Sequence, residues 1–287
     1  MSVTAEQVKA CCASVYGSVA ARYLLGQRLH PGGAELTSRL ICALEAHHGQ
    51  TLADIACGPG ASALQLARET ECEVTGIDLS PQNVADAWRS AAEAGLTHRV
   101  SFTHGDAESL PLADASIDGA LCECALCTFP EKAAAAAELA RVLRPGARLA
   151  LSDVTVAGEL PPGLMTLAAR VACIGDARSL AQIGALLEDA GLSVTRTETQ
   201  EGALVDLLER VEVRVRAARV LAPEAVGAES VEWGLELLSA AREAVRDEKL
   251  GYAVVVAERG HQRSHAYPKR LTSAGRQLSS SNRRPAS

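Results

Sequence analysis

The sequence predicts an α/β fold, a doubly wound, mostly parallel sheet with helices on both faces, and three observations predict it. Apolar strand-like runs alternate with segments of helical period through the middle of the chain. A glycine turn, Gly58-Pro59-Gly60, joins the first such run to the first such helix. The 287 residues are 48% hydrophobic and 22% charged, which is enough to bury one large core without cross-links.

Residues 1–50 read as helices interrupted by His30-Pro31-Gly32-Gly33 and are expected to form an N-terminal helical lid. The expected strands are Leu52 to Ala56, Glu73 to Asp78, Val100 to His104, Ile117 to Glu123, Arg148 to Val154, Leu192 to Glu198 and Tyr252 to Glu258. Between them lie helices over Ala61 to Thr70, Pro81 to Ala94, Glu131 to Leu143 and Leu180 to Ala190. Ser80 caps the second of these, with Pro81 at its first position, while Gly95 and Gly191 punctuate helix ends. Arg144-Pro145-Gly146 is a turn into the fifth strand. A helical stretch over about 203–250, broken at Pro223, is inserted before the last strand, so residues 51–260 read as one domain with that insertion.

The net charge of −7 is unevenly spread: residues 261–287 carry six basic side chains and no acidic one, leaving a body at −13. That tail lacks apolar periodicity and is expected to be a disordered basic extension. An acidic body disfavours nucleic acid, and no apolar run approaches the length of a membrane span. Nine cysteines, an odd number without the spacing of a disulfide framework, and no charged-then-apolar leader before them point to free thiols in a reducing, cytoplasmic setting.

Three strand ends carry the chemistry. Asp54-Ile55-Ala56-Cys57-Gly58-Pro59-Gly60 closes the first strand in a turn that lets a ligand approach the backbone. Asp78, eighteen residues past Gly60, ends the second strand where a carboxylate can accept from both hydroxyls of a ribose. Gly105-Asp106-Ala107-Glu108 follows the third, where an acidic side chain can meet an adenine amino group. In this order the segments resemble the class I S-adenosylmethionine-dependent methyltransferases over about residues 36–258, with Arg141-Val142-Leu143-Arg144-Pro145-Gly146 matching the family's pre-strand turn. The resemblance implies a Rossmann-like seven-stranded sheet closed by an antiparallel last strand. It also implies S-adenosyl-L-methionine as cofactor, held by Asp54, Ala56, Cys57, Gly58, Gly60, Asp78, Leu79, Asp106, Ala107, Glu108 and Glu123. Ala56 departs from the glycine usual there. A dinucleotide oxidoreductase would need G-x-G-x-x-G, whereas the chain continues Ala61-Ser62-Ala63.

The fourth strand ends in Cys122-Glu123-Cys124-Ala125-Leu126-Cys127, at the methyl-donating face in this family. In extended backbone Cys122 and Cys124 project to one side, and C-x-C-x-x-C thiols suit a soft acceptor. The composition resembles the arsenite methyltransferase and UbiE-like group, which implies trivalent arsenic, bound as substrate by Cys122, Cys124 and Cys127, with Cys173 in a later segment able to close over it. The competing reading treats these cysteines as packing residues beside a small organic oxygen, nitrogen or carbon acceptor. A third makes the chain a noncatalytic cofactor- or metal-binding protein. In each enzymatic case the partner is a small molecule, with an arsenite–thiol complex the leading candidate. Tyr16 and Tyr23 in the lid, and Asp153 at the end of the fifth strand, are further candidates for the acceptor pocket.

Overall fold

The computed structural model describes residues 4–221 and 228–260, with 228–230 described by backbone alone. Pro223 and the basic tail lie outside the described residues. The elements are α1 (Ala5–Tyr16), α2 (Val19–Leu25), α3 (Gly33–Leu44), β1 (Thr51–Ile55), α4 (Ala61–Thr70), β2 (Glu73–Asp78), α5 (Pro81–Ala94), β3 (Val100–His104), β4 (Ile117–Glu123), α6 (Lys132–Val142) and β5 (Leu143–Val156). They continue with α7 (Leu167–Val171), α8 (Leu180–Asp189), β6 (Leu192–Thr199), α9 (Ala203–Leu221), α10 (Ala228–Arg246) and β7 (Leu250–Arg259).

The strands form one seven-stranded sheet in the order β3-β2-β1-β4-β5-β7-β6, with β7 antiparallel to both of its neighbours and the remaining pairs parallel. The chain is thus an α/β protein with a Rossmann-like sheet. Its central strands are apolar along their length because both faces are covered. Along β7, Val254 and Val256 face a core completed by Leu40 and Leu44 of α3, Leu66 of α4 and Leu204 and Leu208 of α9. Val255 and Ala257 face the opposite core, with Leu139 of α6 and Ile183 and Leu187 of α8.

The expected bounds of β2, β3, β4, α4 and α5 coincide with the observed ones. The Ser80 cap is present, its hydroxyl accepting from the Asn83 amide. The turn expected at Arg144–Gly146 is instead a bulge inside β5: Leu143 faces Ile117 and Arg148 faces Gly119, so β5 carries three extra residues there. The expectation of a lid over residues 1–50 also needs correction. Helix α3 buries Leu36, Leu40, Ile41 and Leu44 in the core and is a layer of the fold, leaving only α1 and α2 outside it. Helix α1 lies over the strand ends against α7 and the short 3-10 turn Leu126–Thr128. Among the described residues no helix is long and apolar enough to cross a membrane.

Candidate active site

Every parallel strand of such a sheet delivers its C-terminal end to one edge, and the loops there enclose a cavity of about 990 Å³ counting its open mouth. The turn after β1 enters it through left-handed residues, Ala56 at φ +58°, Gly58 at +55° and Gly60 at +85°. At Gly60 glycine is obligatory, since a Cβ would stand 2.9 Å from both the Ala87 methyl and the Phe102 ring. Alanine at position 56 therefore costs about 1–2 kcal/mol in backbone conformation rather than in room.

Asp78 is buried and locks the turn to β2. One oxygen accepts from the Gly58 amide at 2.8 Å, and the other accepts from the Ser80 amide at 2.8 Å and the Asn83 amide group at 3.1 Å. Burial raises its pKa against the pull of these donors. Two carboxylate oxygens offer about four lone-pair sites, so with three donors in place about one remains open to a ribose hydroxyl. Asp54 is pushed well above the usual carboxylate range, first by burial and then by the charges of Glu123 and Asp78, with the Ala63 amide and Arg28 opposing. Its Oδ2 is buried without a hydrogen-bond partner. Glu123 accepts from Thr37 at 3.1 and 3.2 Å and lies 3.5 Å from Nε2 of His30. Three carboxylates in one wall, one with an orphaned oxygen, fit a cationic ligand carrying an ammonium and a ribose, as S-adenosylmethionine does.

Of the eleven residues expected around the cofactor, Asp54, Ala56, Cys57, Gly58, Asp78, Leu79, Asp106, Ala107 and Glu123 line this cavity. Gly60 and Glu108 do not line it. Gly60 packs behind the turn, and Glu108 pairs with Lys9 and accepts from the Glu131 amide at 2.7 Å. Lys9 of α1 also pairs with Asp106 at 2.6 Å, tying that helix to the third strand end. His30, from the turn expected in the N-terminal lid, lines the cavity as well, and so do Lys9 and Arg28, which were beyond sequence reasoning. Nothing local marks them, because their partners lie far along the chain.

The cysteines separate into two groups. The sulfurs of Cys124, Cys127 and Cys173 all lie within 4.8 Å of one another. Cys122 is not among them, contrary to the expectation that it shares a side with Cys124. Strand β4 ends at Glu123, and Cys124 turns left-handed at φ +52°, so the alternation of extended backbone stops one residue too early. Cys122 is fully buried in the core on the α6 side. Cys173 is likewise left-handed, at φ +65°, and strained backbone of this kind collects at functional sites. Its sulfur lies 3.1 Å from the Tyr16 hydroxyl, which donates to the Val171 carbonyl at 2.7 Å. Tyr23, by contrast, is half-exposed and reaches only the Arg214 carbonyl, at 3.3 Å.

The cluster is electrostatically uneven. Hydrogen bonds from the Cys124 and Cys127 thiols hold Cys173 well below the ordinary thiol range. Burial opposes them, and the Lys132 charge assists. Cys127 is pushed up by burial and by its bonds to Cys124 and Cys173. Asp153 accepts from the Cys127 amide at 2.8 Å and is pushed up to about 7 by burial and the nearby Cys173 charge. Among the described residues no fourth cysteine, histidine or carboxylate joins the trio, which leaves a three-sulfur site unlike the closed four-ligand sites of structural zinc.

The family described as "Methyltransferase domain" matches residues 53–151. The O-methyltransferase resE of Aspergillus sclerotiorum is 31% identical over 228 residues, 78% of this chain and 81% of that protein. The methyltransferase GfsG of Streptomyces halstedii is 36% identical over 169 residues, 58% of this chain but only 61% of that protein's length. The arsenite methyltransferase of Halobacterium salinarum is 30% identical over 146 residues, half of this chain and 37% of the relative. Among solved structures, the [4+2]-cyclase SpnF superposes with a TM-score of 0.74 at 24% identity, covering 90% of this chain and 98% of that one, a likeness of fold. Fold and site together fit an enzyme that holds a sulfonium nucleoside. The chain belongs to the class I S-adenosylmethionine-dependent methyltransferases.

Proposed function

We propose that this methyltransferase transfers its methyl group to trivalent arsenic, arsenite or a chemically similar thiophile, held by Cys124, Cys127 and Cys173. The observation that carries the reading is the convergence of three sulfurs within 4.8 Å at the end of β4, with Cys124 on the cavity wall. Arsenite, As(OH)3, reacts with three thiols to give three arsenic–sulfur bonds and three waters, and its lone pair then points away from the sulfurs. S-adenosylmethionine, when bound, supplies a methyl group on a positively charged sulfur. The Asp54, Asp78 and Glu123 side of the cavity holds and orients that cation, while the trio presents the arsenic lone pair to it. As the arsenic lone pair forms the carbon–arsenic bond, the methyl carbon's bond to the sulfonium sulfur breaks and its electron pair stays on that sulfur as a neutral thioether, so arsenic passes from the trivalent to the pentavalent state. No proton leaves the acceptor, so no base is required. Tyr16 of α1 covers Cys173 and keeps water from that end of the site.

The relative named arsenite methyltransferase supports this acceptor. All nine cysteines are free thiols, as the reducing, cytoplasmic setting of this reading would keep them. A second reading, transfer to a hydroxyl of a small organic molecule, is favoured by the relative named an O-methyltransferase. One assay separates the two. Purified protein is incubated with isotopically labelled S-adenosylmethionine, arsenite and a monothiol, and the first reading predicts labelled methylarsenic species. Protein that binds S-adenosylmethionine yet labels no arsenic overturns it, and label on hydroxylated organic acceptors then favours the second.

A further inference from the structure

Cys127 and Cys173 sit on separate segments, the turn before α6 and the loop after α7, and one side chain touches both. Lys132, the first residue of α6, is buried; its ammonium donates to the Cys127 carbonyl at 3.2 Å, the Phe129 carbonyl at 2.9 Å and Asp176 Oδ2 at 2.6 Å. Asp176 follows Cys173 by three residues and also pairs with Arg170 at 2.8 Å and Arg178 at 3.2 Å. A lysine with three partners and almost no access to water has lost most of its freedom, so it acts as a rigid clasp. We propose that the Lys132–Asp176 ion pair is a positioning device for the acceptor site, holding the Cys127 turn against the Cys173 loop so that three sulfurs form one ligand set. The inference rests on the proposed acceptor only for the choice of arsenite as probe.

Other titratable groups also face Cys173, namely Cys12 and Tyr16 from α1, Asp153 from β5 and the two partner thiols, while the charge of Arg170 from α7 acts on Cys12. Of these, Arg170 is partly exposed and already paired with Asp176, whereas Lys132 is buried and bonded to the backbone of Cys127 itself. Lys132 therefore ties the Cys127 turn to the loop that carries Cys173.

Lys132→Met keeps the stem and removes the donor, and Asp176 retains both arginines, so no buried charge is stranded. Arsenite affinity, measured by calorimetry on the full chain, is expected to fall by about tenfold to a hundredfold. S-adenosylmethionine affinity is expected to stay within about twofold. Cross-linking of Cys127 to Cys173 by a short bifunctional thiol reagent is expected to slow in Lys132→Met, and Lys132→Arg is expected to restore part of both effects. Asp176→Asn, which leaves Lys132 in place, gives the same test in milder form if Lys132→Met does not fold. A folded Lys132→Met protein whose Cys127–Cys173 cross-linking is unchanged overturns the inference. Should the unaltered protein bind no arsenite, the proposed acceptor fails, while the rate of Cys127–Cys173 cross-linking still decides the role of Lys132.

Discussion

Replacing Cys173 and replacing Cys122 by serine should have opposite consequences, although both remove a thiol from the same region. Sulfurs bound to one centre at about 2.3 Å stand roughly 3.7 Å apart. The trio, already within 4.8 Å, therefore needs movements of about 1 Å to close on a single atom. A site this nearly formed gains its third bond as an intramolecular step. Losing that arm should weaken arsenite binding by on the order of a hundredfold or more. Cys122→Ser instead places a hydroxyl in an apolar wall that is fully buried. Its cost is about 1–2 kcal/mol of stability, seen as a lower melting temperature, with arsenite affinity within about twofold of the unaltered protein. Calorimetric titration of arsenite into each protein under anaerobic, thiol-free conditions reads both numbers. A Cys122→Ser protein that loses arsenite binding while Cys173→Ser retains it would refute the assignment of the site to the second group of cysteines.

Three further outcomes follow from the site. Gly60→Ala combines a left-handed backbone with a Cβ 2.9 Å from Ala87 and Phe102, and should lose about 3 kcal/mol in denaturant unfolding. Asp78→Asn exchanges one acceptor oxygen for a donor facing the Gly58 or Ser80 amide, and should weaken S-adenosylmethionine binding at least about tenfold by calorimetry. Asp153 is held up to about 7 in the folded chain against an ordinary 3.8, so between those values the folded protein keeps a proton that the unfolded chain has released. Its contribution to stability is full below about pH 4 and is lost as the pH rises to about 7, an effect on the order of 4 kcal/mol. The stability of the unaltered protein relative to Asp153→Ala should therefore shrink across that window in parallel urea titrations, and a difference that stays flat or grows with pH contradicts the assignment.

The sheet was legible because its signals are local. Alternating runs bounded by Ser80-Pro81, Gly95 and Gly191 fix where each segment starts and stops, and the turn from Asp54 to Gly60 is written in consecutive residues. Helix α7 escaped because five residues carry too little period to show. The proposed acceptor site was half legible. Cys124 and Cys127 are neighbours in sequence, but Cys173 joins them only because α7 folds back over the β4 end, and Cys122 leaves them because Cys124 takes a left-handed φ that nothing in its residue type announces. Lys9, Arg28 and Lys132 were invisible for the reason that makes them useful: each is a single cation whose partners, such as Asp106 for Lys9 and Asp176 for Lys132, are distant in the chain.

Arsenic-edge X-ray absorption of the arsenite-loaded protein tests the central claim most directly, because it counts the atoms bound to the acceptor. The account predicts a shell of three sulfurs and no oxygen, changing to two sulfurs and one oxygen in Cys173→Ser and staying at three sulfurs in Cys122→Ser. An oxygen-dominated shell in the unaltered protein, or three sulfurs persisting without Cys173, would contradict it.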